Sequence, residues 1–286
     1  AVILAHYYVC DEVQEIADFV GDSYYLSKKA TEVSESMIVF AGVKFMGESA
    51  KILNPEKTVV MVDAKADCPM AHMVTPEKIE EVRSKYDDLA VCCYINSTAE
   101  IKAHSDVCVT SSNALKIVKS LPNKNIFFIP DGNLGRYIAE KVTDKNFIFN
   151  DGYCPVHVKI TREDIINKKK EYPNAKVLIH PECTPDAVEL ADYAGSTAGI
   201  IDYATKSHCD EFIIATEKGV LYELRNKNPK KKFYTVNDSQ ICPDMKYVTL
   251  EKIKNVIENT ENVVELSEKM SEGAKKALDE MLRLAE

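Results

Sequence analysis

Val2-Ile3-Leu4-Ala5-His6-Tyr7-Tyr8, an apolar run closed by ionisable aromatic residues, returns as Ala90-Val91-Cys92-Cys93-Tyr94-Ile95-Asn96 and as Lys176-Val177-Leu178-Ile179-His180-Pro181-Glu182. The residues that close these runs, His6, Tyr94 and His180, lie 88 and 86 residues apart. Seventeen residues beyond each stands a hydroxyl residue: Ser23, Ser111 and Thr197. The Cys-Pro pairs Cys68-Pro69, Cys154-Pro155 and Cys242-Pro243 follow the same run ends after 62, 60 and 62 residues. Three landmarks repeated three times in register define an internal triplication of the chain.

Within each unit, short runs rich in Val, Ile and Phe alternate with helix-length amphipathic stretches, the pattern of buried parallel strands joined by crossover helices. Strands are expected at Val2–Ala5, Met37–Ala41 and Thr58–Val62, then at Ala90–Tyr94, Ile126–Ile129 and Phe147–Phe149, and then at Lys176–Ile179, Phe212–Ala215 and Lys232–Thr235. After each Cys-Pro pair a further helix should open on a threonine cap, at Thr75, Thr161 and Thr249, with an acid two residues on. The sequence therefore predicts an α/β protein of three pseudo-threefold-related α/β/α, Rossmann-like domains, with parallel sheets around a central site. The expected divisions are 1–68 together with 244–286, 69–155, and 156–243, the C-terminal helices folding back to complete the first unit. Units of about 85 residues are small for independent cores and should pack on one another.

The 286 residues carry a net charge of −9, which disfavours a nucleic-acid backbone as partner. Lys168-Lys169-Lys170 and Lys230-Lys231-Lys232 read as solvated surface. No apolar run approaches the roughly 18 residues of a membrane helix, so a soluble protein without membrane contact is expected. Nine cysteines without framework spacing and no visible signal peptide point to a reducing, cytoplasmic setting. A start at Ala1 rather than Met leads us to expect a short preceding segment.

Ligands of open parallel α/β sheets bind beyond the carboxyl ends of the strands. Residues two apart on a strand face the same way, so His6 with Tyr8, Tyr94 with Asn96, and His180 with Glu182 should point at one place. Ser23, Ser111 and Thr197 stand where loops become helices. They can cap, and they can also help to bind anions with the backbone N–H groups there. Three such sites suit a compact ligand with two carboxylates and a phosphate. Proline after Cys68, Cys154 and Cys242 holds each cysteine extended in a turn. Converging, the three thiols would make a metal site: zinc with three cysteines and water, or an iron–sulfur cubane with one open iron. Spacing does not choose between these. Cys183 is the alternative ligand, although its repeat counterparts are Val9 and Ser97. Cys92, Cys93, Cys108, Cys10 and Cys209 read as small buried hydrophobes.

The combined motifs resemble the quinolinate synthases, the iron–sulfur enzymes of NAD biosynthesis. The resemblance covers essentially the whole chain, through Ala5-His6-Tyr7-Tyr8, Gly21-Asp22-Ser23, Phe40-Ala41-Gly42-Val43, Cys68-Pro69-Met70-Ala71, Tyr94-Ile95-Asn96-Ser97, Thr110-Ser111-Ser112-Asn113-Ala114, Gly152 with Cys154 and His157, and His180-Pro181-Glu182-Cys183. Many members carry Asn where Tyr7 stands, and some hold the last ligand within a run of cysteines, whereas Cys242 stands alone. The resemblance implies a [4Fe–4S] cluster on Cys68, Cys154 and Cys242. It also implies condensation of iminoaspartate, supplied by an aspartate oxidase or dehydrogenase, with dihydroxyacetone phosphate. His6, Ser23, Tyr94, Asn96, Ser111, His180 and Thr197 would then grip substrate, with His180 also among the catalytic groups. Tyr8 and Glu182 would move protons, the Glu182 carboxyl raised toward neutrality by enclosure. His157 would orient the cluster or a phosphate. The competing expectations are a reductive dehydratase of isoprenoid synthesis, a diphthamide-forming enzyme, and a zinc-stabilised scaffold without catalysis.

Overall fold

The computed structural model describes residues 1–286. The first unit runs β1 (Val2–His6), α1 (Asp11–Ile16), β2 (Phe19–Gly21), α2 (Ser23–Glu32), β3 (Met37–Ala41), α3 (Lys44–Leu53) and β4 (Thr58–Met61). The second begins with α4 (Pro76–Arg83) and continues β5 (Leu89–Tyr94), α5 (Ala99–Ala103), β6 (Val107–Val109), α6 (Ala114–Ser120), β7 (Asn125–Ile129), α7 (Gly132–Ala139) and β8 (Asn146–Phe149). The third has α8 (Arg162–Glu171), β9 (Lys176–Ile179), α9 (Pro185–Val188), β10 (Tyr193–Ala194), α10 (Thr197–Lys206), β11 (Glu211–Ala215), α11 (Val220–Lys227) and β12 (Lys232–Thr235). Two C-terminal helices follow, α12 (Leu250–Asn259) and α13 (Glu268–Ala285).

Each unit forms one four-stranded, wholly parallel sheet, with the orders β2-β1-β3-β4, β6-β5-β7-β8 and β10-β9-β11-β12. The fold class read from the sequence is thus the observed one. β2, β6 and β10 were not anticipated: at two to three residues they are too short to show a period. Helix α1 stops at Ile16 because Phe19 already belongs to β2.

Thr75, Thr161 and Thr249 cap α4, α8 and α12, their hydroxyls accepting from the Lys78, Asp164 and Lys252 amides. Ahead of each cap, the cysteine loop is tied to its own sheet by the same bond in every unit. The amide three residues past the third strand (Lys44, Gly132, Lys218) donates, at 2.8 Å, to the carbonyl two residues before the cysteine (Ala66, Gly152, Gln240). This tether brings each Cys-Pro pair to the carboxyl end of its sheet.

The C-terminal segment departs in part from expectation. Residues 262–264 run beside β4, through Met61 N–H to Asn262 O at 3.0 Å and Val264 N–H to Val59 O at 2.8 Å, and α12 lies on β3. But α13, with Ala274, Ala277, Leu278 and Met281 buried, lies along α5 and β6 of the second unit as well as α3 of the first. Its apolar stripe closes the seam between two units. One continuous core of 56 buried residues accordingly spans the first two units and the C-terminal helices, whereas the third unit has clusters of 11 and 10 residues, one on each face of its sheet, the larger including Tyr7 of the first unit.

Candidate active site

The carboxyl ends of the three sheets converge on a cavity of about 160 Å3. Its walls include His6, Tyr8, Ser23 and Cys68 from the first unit, Tyr94, Asn96, Ser111 and Cys154 from the second, and His157, His180, Glu182, Thr197 and Cys242 from the third unit and the loops beside it. Every residue singled out from the repeat therefore faces one space. Cys183 does not: it is buried in the third unit's core, its thiol 3.7 Å from the Ala215 carbonyl. Cys92, Cys93 and Cys108 are buried within β5 and β6, whereas Cys10 and Cys209 are half-buried rather than core.

Ser23 and Thr197 open α2 and α10, but the capping falls to their predecessors. The Asp22 carboxylate accepts from the Tyr25 amide (2.9 Å) and the Ser196 hydroxyl from the Gly199 amide (3.1 Å). The hydroxyls of Ser23 and Thr197 are thereby released from capping. Ser111 lies in the turn before α6 rather than at its first residue, and its hydroxyl is 3.2 Å from His180 Nε2.

His6 and His180 repeat a single device. In each, Nδ1 accepts the backbone N–H two residues on, from Tyr8 (3.2 Å) and from Glu182 (3.3 Å). A ring whose Nδ1 accepts must carry its proton on Nε2. Burial drives both imidazoles down, His6 to about 3 and His180 to about 4, so both are neutral donors near pH 7.

Between Tyr8 and Glu182 runs an unbroken chain that the sequence did not disclose. The Tyr8 hydroxyl lies 2.8 Å from Thr197 Oγ1 and 2.8 Å from Thr216 Oγ1. Thr216 Oγ1 lies 2.9 Å from His157 Nε2, and His157 Nδ1 is 2.8 Å from Glu182 Oε2. An ionised carboxylate only accepts, which orients the chain: Thr197 donates to Tyr8, Tyr8 to Thr216, Thr216 to His157, and His157 to Glu182. The expected rise of the Glu182 carboxyl is overturned. Burial does push it upward, but His157 and His180 beside it outweigh that and hold it below the ordinary carboxylate range. Burial, then Glu182, pushes the Tyr8 and Tyr94 phenols well up. Glu182 Oε1 and Asn96 Oδ1 are buried without any protein partner, so acceptors remain for a ligand.

Burial raises all three cavity thiols, Cys242 to about 11, and Cys68 feels Cys242 while Cys154 feels Glu182 and then Cys68. Buried thiols lining one cavity ionise jointly only when a cation compensates them. The donor set thus fits a thiolate-held metal group. Cys154, His157 and Glu182 also bring three donor atoms within 4.8 Å of one another. His157 Nδ1 is, however, at hydrogen-bond distance from both the Cys154 thiol (3.1 Å) and Glu182, as a proton-bearing ring requires.

Two further charged residues, Glu217 and Lys246, meet at the Cys242 loop, and sequence reasoning passed over both. Glu217 and its repeat counterpart Asp131 stand two residues past a third strand, the place that Tyr8 and Asn96 hold past a first strand. The same rule applied to third strands would have found them.

A threefold-repeated α/β protein with three thiols and a hydrogen-bonded chain of buried side chains around one cavity defines a class of biosynthetic enzymes. A family model described as "Quinolinate synthetase A protein" matches residues 1–283. The chain belongs to this family and is an enzyme. It is 57% identical over 283 residues to the quinolinate synthase of Fusobacterium nucleatum, covering 99% of this chain and 94% of that protein. Similar relatives are the quinolinate synthases of Caldicellulosiruptor saccharolyticus (51% over 285 residues; 100% of this chain and 94% of that protein) and Clostridioides difficile (53% over 286 residues; 100% and 94%). No helix is long and apolar enough to cross a membrane.

Proposed function

We propose that this protein condenses iminoaspartate with dihydroxyacetone phosphate in the cytoplasm, giving quinolinate, phosphate and two waters, and that Cys68, Cys154 and Cys242 hold a [4Fe–4S] cluster. The observation that carries this reading is that three thiols and the ends of the Tyr8–Thr216–His157–Glu182 chain line one cavity, with Cys154 3.1 Å from His157 Nδ1. A cluster with three protein ligands supplies one open iron as a Lewis acid for a departing hydroxyl.

The residues of the chain do the rest. The substrate pair carries two carboxylates and a phosphate; Ser23 and Ser111 offer hydroxyl protons to two anionic groups, while Thr197, whose own proton goes to Tyr8, sets the amides that open α10 beside the third. The neutral Nε2–H groups of His6 and His180, with Tyr94 and Asn96, grip carbonyl and carboxylate oxygens and orient the partners for bond formation. Tyr8 and Glu182 move protons during enolisation, isomerisation and ring closure. A proton taken from substrate by the Tyr8 oxygen shifts each bond of the chain by one place and appears on Glu182, whose Oε1 has no protein partner. A base and an acid are thus served by one wire. Enclosure of these groups keeps water from imine intermediates.

The test is anaerobic purification followed by assay for quinolinate from the two substrates, beside Cys68→Ala, Cys154→Ala and Cys242→Ala with iron measured in each. Quinolinate from the parent, with iron and activity lost in all three variants, is expected. An iron-replete parent that forms none would return the reading to the reductive dehydratase or diphthamide classes, and a parent containing zinc alone would return it to a scaffold.

A further inference from the structure

We propose that Glu217 and Lys246 are positioning residues that strap the Cys242 loop to Tyr8, fixing one thiol relative to the head of the proton chain. Glu217 is completely buried. Its Oε1 accepts from the Cys242 amide at 3.2 Å and from Lys246 Nζ at 3.0 Å, and its Oε2 accepts from the Gly219 amide at 2.6 Å. Lys246 Nζ in turn donates to the Tyr8 carbonyl at 2.5 Å. The Gly219 turn completes the strap from the other side. A Cβ there would lie 2.8 Å from the Tyr7 carbonyl, from the Tyr8 Cα and from Glu217 Oε2, so only glycine lets the third unit close this tightly on Tyr8.

The fold itself does not ask for this pair. The first unit makes the same cysteine-loop tether with Val43 at the corresponding place, and the second makes it with Asp131, whose carboxylate bonds only the Asn133 and Leu134 amides of its own helix. An ion pair that buries a carboxylate against a partly exposed lysine is a poor way to stabilise a turn that valine stabilises elsewhere. Its presence in the one unit whose loop touches Tyr8 points to placement rather than to folding. The inference rests on the assignment of Cys242 as a ligand and of Tyr8 as a proton carrier.

The test compares Glu217→Gln, Lys246→Met and Lys246→Arg with the parent. In the metal-free protein, the rates of iodoacetamide labelling of Cys242 and Cys68 are read by peptide mass spectrometry; in the reconstituted protein, iron content, kcat and KM are measured. Supporting portions of the outcome are faster labelling of Cys242 alone, a kcat lower by about 10–100-fold with little change in KM, and recovery in Lys246→Arg. Lys246 is partly exposed, so Lys246→Met carries the test by itself if Glu217→Gln does not fold. Parental Cys242 labelling and kcat in Lys246→Met would overturn the proposal. A parent that makes no quinolinate would instead sink the functional reading, while the labelling comparison would still decide whether the strap exists.

Discussion

Thr216→Val interrupts the chain between Tyr8 and Glu182 at its middle link. Thr216 is fully buried and outside the cavity wall, so the substitution keeps the shape and removes only the hydroxyl that accepts from Tyr8 (2.8 Å) and donates to His157 Nε2 (2.9 Å). Two hydrogen bonds at about 1 kcal/mol each, with more if their buried partners stay unsatisfied, put the loss of stability at about 2–4 kcal/mol. For a chain of this size that lowers Tm by roughly 4–12 °C. The effect on turnover should be the larger one. Positioned proton transfer contributes about 10²–10⁴-fold, so kcat should fall about 100-fold or more, with KM nearly unchanged because Thr216 does not reach the cavity. Thr216→Ser, which restores both bonds, should recover most of the rate. The assay is anaerobic quinolinate formation at matched iron content, with thermal unfolding measured in parallel. A valine variant with nearly parental kcat, or a serine variant as impaired as valine, would refute the relay and leave Thr216 a packing residue.

Gly152→Ala should strain the Cys154 loop, because a Cβ at Gly152 would lie 2.3 Å from the Pro130 carbonyl and neither backbone can yield cheaply; a loss of about 1–3 kcal/mol and less iron per chain are expected, and parental melting with full iron would contradict it. His6 is held at about 3 by burial, so the unfolded chain takes up a proton near pH 6.5 that the folded chain refuses. Stability from this difference is complete above that pH and is lost on acidification, by up to about 1.4 kcal/mol per pH unit. Denaturant unfolding of the parent and His6→Asn between pH 6 and pH 4 should therefore converge as pH falls, and parallel profiles would exclude the effect.

The threefold plan was legible because its landmarks are residue types in register: the strand ends at His6, Tyr94 and His180, the caps at Thr75, Thr161 and Thr249, and the three Cys-Pro pairs. The cavity wall followed from the same rule, since strand direction and side-chain alternation bring equivalent positions to one end of a parallel sheet. What escaped was whatever breaks the repeat. Thr216 corresponds to Gly42 and Pro130, so no pattern marks it, and Glu217, although it stands past a strand end as Asp131 does, takes its meaning from its tertiary partners. The charge state of Glu182 was misread for the same reason: burial can be guessed from a strand end, but the arrival of His157 beside it depends on how a loop closes.

The uneven division of the apolar core separates two jobs that the sequence repeat would have shared equally. Cys68, Cys154 and Cys242 all rest against the large core of the first two units, while His180, Glu182, Thr197 and Thr216 ride on a unit whose own clusters are small, one of them taking in Tyr7 of the first unit. Mechanically, the first two units and the C-terminal helices form one block, and the third unit is joined to it through Tyr7, Tyr8 and Val20, which pack against its smaller core. Because Glu217 and the Lys218–Gln240 tether fasten the Cys242 loop to the third unit, that unit holds one thiol and much of the hydrogen-bonded chain as a single body.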